Sequence, residues 1–228
     1  MKIIIAILLV LSTIGFSQSK DPDEILKTVI KNFDRVQDYV VDVNIKVDVQ
    51  GVKVPETKAK IYFKQPDKIH LESEGFAMLP KDGMLFSPSS LLKKDYTAIF
   101  EKDVDLNGVK VSVIKVIPSG DQSEIILSTL WIDQNKKMVR KIESTTKSDG
   151  TFAIDINYDD SIKFPLPSQI VFYFNLDKMN LQLNNKNGDP DNRKRGFDST
   201  TKGKVVVKYS NYVINKGIND SVFEEKKN

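Results

Sequence analysis

The chain has 228 residues, 40% hydrophobic and 29% charged, with a formal net charge of +3, a composition that excludes a disordered chain and suits a folded domain with a sizeable core. So even a charge balance excludes a general nucleic-acid binder, which needs a clear positive excess on one face. There is no cysteine and a single histidine, which excludes disulfides, a thiol nucleophile and a lipidated N-terminal cysteine, and leaves no material for a histidine-built metal site.

Residues 1–19 read as an export signal. Lys2 supplies a positive start, Ile3 to Leu11 is an unbroken apolar run, and Gly15, Ser17 and Ser19 are small residues where a signal peptidase cuts, after Ser17 or Ser19. The apolar run is shorter than the roughly 20 residues a spanning helix needs. Residues 20–228 then form a single domain in a bacterial periplasm, held by its core alone.

The first element after the signal is a helix. Asp21 is its N-cap, Pro22 takes the first helical position, and Asp23 and Glu24 place negative charge at the N-terminal dipole. Ile25, Leu26, Val29, Ile30, Phe33 and Val36 recur at helical spacing, giving one apolar face over about 15 residues. A strand follows, with Val41, Val43, Ile45, Val47 and Val49 alternating with Asp42, Asn44, Lys46 and Asp48. A second has Thr57, Ala59, Ile61 and Phe63 on one face and lysines on the other. After a turn at Gln65-Pro66-Asp67, a third places Ile69 and Leu71 opposite Lys68, His70, Glu72 and Glu74. Three one-sided strands in succession make an antiparallel meander with one apolar face.

Phe76, Met78, Leu79, Met84, Leu85, Phe86, Leu91 and Leu92 then crowd a segment broken by Pro80, Gly83 and Pro88. It reads as a loop folded over the core or as an adaptable mouth for an apolar ligand. Strands resume at Tyr96–Glu101, Val109–Ile117, Glu124–Ile132, Met138–Thr146, Thr151–Tyr158 and Gln169–Phe174, with turn signals at Asn107-Gly108, Asp133-Gln134-Asn135 and Ser148-Asp149-Gly150. Glu124–Ile132 is apolar on both faces, as a strand covered twice would be. Asn175–Lys202 is a polar loop. Val205, Val207, Tyr209 and Val213 share a face of the last strand, and Asn219–Phe223 closes the fold.

Nothing in this chain makes a convincing catalytic centre. His70 lies on the polar face of a strand. Asp159-Asp160 are adjacent, so on a strand their carboxylates diverge, and Glu72 and Glu74 sit among lysines. Asp189-Pro190-Asp191-Asn192 lacks the spacing of a calcium loop. Arg193-Lys194-Arg195 is a solvated tip or a contact for anionic headgroups.

Tyr62-Phe63-Lys64-Gln65-Pro66-Asp67-Lys68-Ile69, Leu130-Trp131-Ile132-Asp133 with Val139-Arg140-Lys141, and the Tyr209–Phe223 run together resemble the periplasmic outer-membrane lipoprotein carrier (lipoprotein-sorting) family. The resemblance implies a mainly β fold with helices, an incomplete antiparallel β-barrel covered by the N-terminal helix and a short lid, enclosing a hydrophobic cavity for acyl chains. It implies no cofactor and no enzyme activity. The partners it implies are lipoprotein acyl chains or another lipid, an inner-membrane release complex, an outer-membrane acceptor and transient membrane-surface contact, for a monomer. On that reading Ile25, Val29, Ile30 and Phe33 line the helical side. Val41, Val43, Ile45, Ile61, Phe63, Ile69 and Leu71 line the sheet. Phe76, Met78, Leu79, Met84 and Phe86 form the mouth. Well-studied carriers have arginine before the turn proline, where this chain has Gln65, which puts their release switch in question. The alternative on the same fold is a non-catalytic envelope sensor or protein-interaction module with a filled core.

Overall fold

The structure, a computed structural model, describes residues 20–49, 54–73, 95–120, 123–148, 150–175 and 202–224. Its one α-helix among these, α1, spans Pro22–Phe33. The extended Asp21 accepts from the amides of Asp23 and Glu24, so the cap works as its sequence implies. The helix is shorter than the apolar spacing suggests. Its last turn tightens, Val36 N–H donates to Phe33 O at 2.8 Å, and Val36 reaches the core from that turn rather than from the helix face.

Ten strands follow: β1 Asp38–Val49, β2 Thr57–Lys64, β3 Lys68–Ser73, β4 Tyr96–Leu106, β5 Val109–Pro118, β6 Ile125–Asp133, β7 Met138–Thr146, β8 Thr151–Asn157, β9 Gln169–Asn175 and β10 Lys202–Ile214. They form one antiparallel sheet in the order β3-β2-β1-β10-β9-β8-β7-β6-β5-β4. The chain starts in mid-sheet, runs to one edge, resumes at the other edge and returns until β10 pairs β1. The edge strands β3 and β4 do not pair with each other among the described residues. The result is an incomplete barrel, and α1 lies against its inner face, packed on β4 and β7.

The period-two pattern fixes that inner face. Val41 stands opposite Ile61, and Ile61 opposite Leu71; Tyr39 stands opposite Phe63, and Phe63 opposite Ile69. The buried inner residues of all strands except the two edge strands join Leu26, Val29, Phe33 and Val36 in one continuous apolar cluster. At the β4–β5 turn both Asn107 (φ 53°) and Gly108 (φ 83°) are left-handed, the geometry that favours this pair in a two-residue hairpin.

Two expectations are corrected. Val213 does not share the face of Val205, Val207 and Tyr209. Val40 pairs Val213 whereas Asp42 pairs Ser210, so β10 holds an extra residue, with Asn211 at φ 57°. This bulge reverses the alternation: Tyr212 and Ile214 pack on the core and Val213 is 48% exposed. Strand β6 is not covered on both sides either. Ser128, Leu130 and Ile132 are buried on the inner face, but a bulge between Ile125 and Leu127 leaves Ile126 50% exposed.

Candidate functional site

Among the described residues, the inner face is sealed at one end and open at the other. The sealed end collects the turns after α1, β2, β6 and β10. The Gln65 side-chain amide donates to the carbonyls of Val36 (2.8 Å) and Asp34 (3.5 Å), and its backbone N–H to Gln37 O (2.8 Å). Asn215, left-handed at φ 55°, accepts from the amides of Gln37 (2.8 Å) and Asp38 (3.4 Å) and donates to Arg35 O (2.8 Å). The buried Asp38 carboxylate accepts from the amides of Lys216 (3.0 Å) and Gly217 (3.1 Å). These contacts satisfy the backbone groups left over where the helix ends and β10 stops. Asn32 adds a bond from the helix to Lys136 O at 3.0 Å.

Aromatic rings fill the space beneath this knot. Phe33 meets Phe63 edge-on at 5.9 Å, Tyr39 stacks on Phe63 at 5.1 Å, and Tyr212 lies against Tyr39 and Tyr209. The Tyr212 hydroxyl donates to Pro167 O and the Tyr158 hydroxyl to Val139 O, each at 2.8 Å. Burial pushes the Tyr39, Tyr158, Tyr209 and Tyr212 phenols above the ordinary tyrosine value, so all four stay neutral.

At the opposite end β1, β3 and β9 run out. The inner face there carries Val47, Val49, Ala59, Phe152, Phe172 and Phe174. Phe152, Phe172 and Phe174 form a row at 5.2 and 5.6 Å between centroids. Gly203 allows this packing, because a Cβ there would meet the Phe174 ring at 2.6 Å. Cover thins towards the edge strand: Ile61 and Phe63 are buried, whereas their partners Leu71 and Ile69 are 40% and 37% exposed.

The structure thus gathers Val29, Phe33, Val41, Val43, Ile45, Ile61 and Phe63 on the buried inner face, with Ile25 packed half-buried against them, Ile69 and Leu71 on the edge strand, and Ile30 half-buried on α1 outside this cluster. Phe76, Met78, Leu79, Met84 and Phe86 lie outside the described residues, as do residues 1–19 and 176–201. Phe152, Phe172 and Phe174 are inner-face residues that sequence reasoning missed. The run Gln169–Phe174 is apolar at both parities, so alternation could not choose a face; the signal that could have done so is Gly203, a small residue beneath a ring.

The polar residues singled out from the sequence act locally. His70 lies on the outer face, its ring 5.7 Å from that of Tyr62, whose hydroxyl donates to Glu72 at 2.9 Å. Asp159 caps its turn through Ser161 N–H, and Asp160 pairs with Lys136. Asp133 is buried, accepts from the amides of Asn135 and Lys136, and pairs with Arg140 at 2.9 Å. Burial alone would raise its carboxyl, but these donors hold it below the usual carboxylate range. Among the described residues no three acidic or histidine side chains converge as a metal site. A groove of about 340 Å³ on the outer face is lined by Asn44, Lys46, Asp48, Glu56, Lys204, Val206 and Lys208.

No family model and no curated protein matches this sequence. Solved structures do match. A DUF1329 family protein from Desulfovibrio piger is 13% identical with a TM-score of 0.62, covering 90% of this chain and 98% of its own. A putative outer membrane lipoprotein-sorting protein domain from Vibrio parahaemolyticus is 11% identical at 0.61, covering 90% and 98%. A LolA superfamily protein from Nitrosomonas europaea is 11% identical at 0.56, covering 91% and 99%. The chain adopts a LolA-like fold. At these identities the likeness is one of fold, and it runs through nearly the whole of each partner. The candidate site is the inner face of the incomplete barrel.

Proposed function

We propose that this protein is a non-catalytic periplasmic carrier that holds the acyl chains of lipoproteins, or another lipid, against the open half of its inner face and shuttles them towards the outer membrane. One observation carries the reading. Among the described residues the apolar face is closed at one end by a satisfied hydrogen-bond knot, and it is only half-covered at the other end, at Val47 and Phe152, and along its β3 edge, at Ile69 and Leu71. An acyl chain laid there gains about 0.8 kcal/mol per methylene removed from water. The fold shared with a lipoprotein-sorting domain and a LolA superfamily protein supports it. Gln65 meets only backbone carbonyls, so release in this chain would work without a charged latch at that position.

The test is uptake of a fluorescent fatty acid by detergent-free protein. Ile69→Asp and Leu71→Asp place a charge on the half-covered wall at positions exposed enough to keep the fold. Both are expected to abolish uptake; folded variants that take up the probe as well as the parent does would refute the reading. A non-catalytic sensor or interaction module is the second reading. It is favoured by β4, which has no strand on its outer side among the described residues, and it predicts no uptake by the parent protein.

A further inference from the structure

We infer that the buried Ser128–Ser144 hydroxyl pair is the polar anchor of the inner face, donating a hydrogen bond to the ester or amide carbonyl at the head of a bound acyl chain. Its role rests on the carrier reading. Ser128 on β6 stands opposite Ser144 on β7, and their hydroxyl oxygens lie 2.7 Å apart. The two residues are 5% and 1% exposed. Each hydroxyl carries one proton to donate, and a single bond joins the two. One of the two protons therefore has no acceptor among the described residues.

Comparable groups elsewhere in the fold are served. The third buried serine, Ser112, donates to Asp103 at 2.8 Å and accepts from Gln134 at 3.2 Å. The buried carboxylates of Asp38 and Asp133 accept from backbone amides. Thr145 and Thr151 form a second hydroxyl pair at 3.0 Å, but it is exposed, so water takes its spare proton. The Ser128–Ser144 pair holds its spare proton away from water. A buried donor left in that state disfavours the fold, and an acceptor brought to it recovers the lost bond.

The place of the pair selects the ligand group. Across the sheet Ala98 stands opposite Val116, Val116 opposite Ser128, and Ser144 opposite Phe152. The hydroxyls therefore lie in an inner row at the open end, one strand from the half-buried Phe152. The next row in is Ile114, Leu130, Ile142 and Ile154. Neither row carries a charge. An ionised carboxylate brought here would be buried without a counter-charge, whereas a neutral carbonyl needs only the one donor on offer. Ester and amide carbonyls share that chemistry. Cross-strand neighbours are about 5 Å apart, so a chain whose carbonyl meets the hydroxyls lays its first methylenes on Phe152.

The test competes a fatty-acid methyl ester, the N-methyl amide and the alkane of equal chain length against the fluorescent fatty acid, on the full chain purified without detergent. Ser128→Ala combined with Ser144→Ala removes both partners and leaves no unmatched group, so circular dichroism should show the parent's fold. The double variant is expected to bind the ester and the amide about tenfold more weakly than the parent does, the worth of one hydrogen bond. The alkane has no acceptor and serves as the reference. A loss confined to the ester or to the amide keeps the anchor and names the source of the carbonyl. Ester, amide and alkane affinities that change alike overturn the anchor and leave the carrier reading standing. Infrared spectroscopy of an isotope-labelled ester reads the bond in the parent alone. Its carbonyl stretch is expected below the frequency seen in alkane solvent, and a stretch at that frequency overturns the anchor. A parent that takes up neither the probe nor any of the three ligands refutes the carrier and the anchor together.

Discussion

Phe33 is the residue through which α1 is fixed to the sheet, and truncating it tests that attachment. Its ring is 1% exposed and meets Phe63 edge-on at 5.9 Å. Phe33→Ala removes a fully buried ring and leaves a void that α1 and β2 cannot both close, at a cost of about 3–5 kcal/mol. Folded domains are stable by about 5–15 kcal/mol in total, so a large part of the margin is at stake. With a urea dependence of about 2–3 kcal/mol per molar for a domain of this size, the midpoint should fall by roughly 1–2 M. Ile30→Ala, on the half-buried flank of the same helix, loses only part of a transfer term, about 1–2 kcal/mol, and moves the midpoint by less than about 1 M. Urea denaturation followed by far-ultraviolet circular dichroism measures both. Equal shifts for the two variants, or a Phe33→Ala cost below about 1 kcal/mol, would refute the placement of α1 as the seal of the inner face.

Asp133 should give the protein an acid-sensitive term. Its carboxyl titrates below the ordinary value in the folded chain, so its stabilisation is complete above the unfolded carboxylate range near about 3.9 and is lost as pH falls through the folded-state value. Asp133→Asn should therefore lower the melting temperature at neutral pH, with the gap to the parent narrowing below about pH 4; a gap that stays constant into acid would contradict this. Gln65 donates to two carbonyls, so Gln65→Arg should keep the knot. Gln65→Glu faces acceptor with acceptor and should cost about 1–3 kcal/mol. Indistinguishable unfolding curves for the two variants would contradict that assignment.

Much of this fold was legible because its strands are one-sided. Val41 to Val49 alternate with charged or polar residues, so burial and register agree, and Ile61 and Ala59 then fall opposite Val41 and Val43. The helix cap at Asp21 and the turn at Asn107-Gly108 were legible for local reasons, since a carboxylate and a left-handed pair act within a few residues. The parts that were not legible depend on bulges and on long-range contact. A single extra residue near Asn211 reverses the face of every residue beyond it, and no local composition marks it. The two-faced run in β6 suggested a second covering layer, whereas its outward isoleucine is bare. The inner position of Phe172 and Phe174 depends on Gly203, which lies on another strand beyond a long intervening segment. The identity of Gln65 was visible, but its partners, the carbonyls of Val36 and Asp34, belong to a helix end that only the fold brings near.

The central claim is that the open half of the inner face holds lipid. The most direct measurement is native mass spectrometry, followed by solvent extraction, on protein purified from a periplasm without detergent. The account predicts an added mass that extracts as lipid and is absent from the Leu71→Asp protein prepared in the same way. A parent protein of bare polypeptide mass that also fails to take up a fluorescent fatty acid would contradict it.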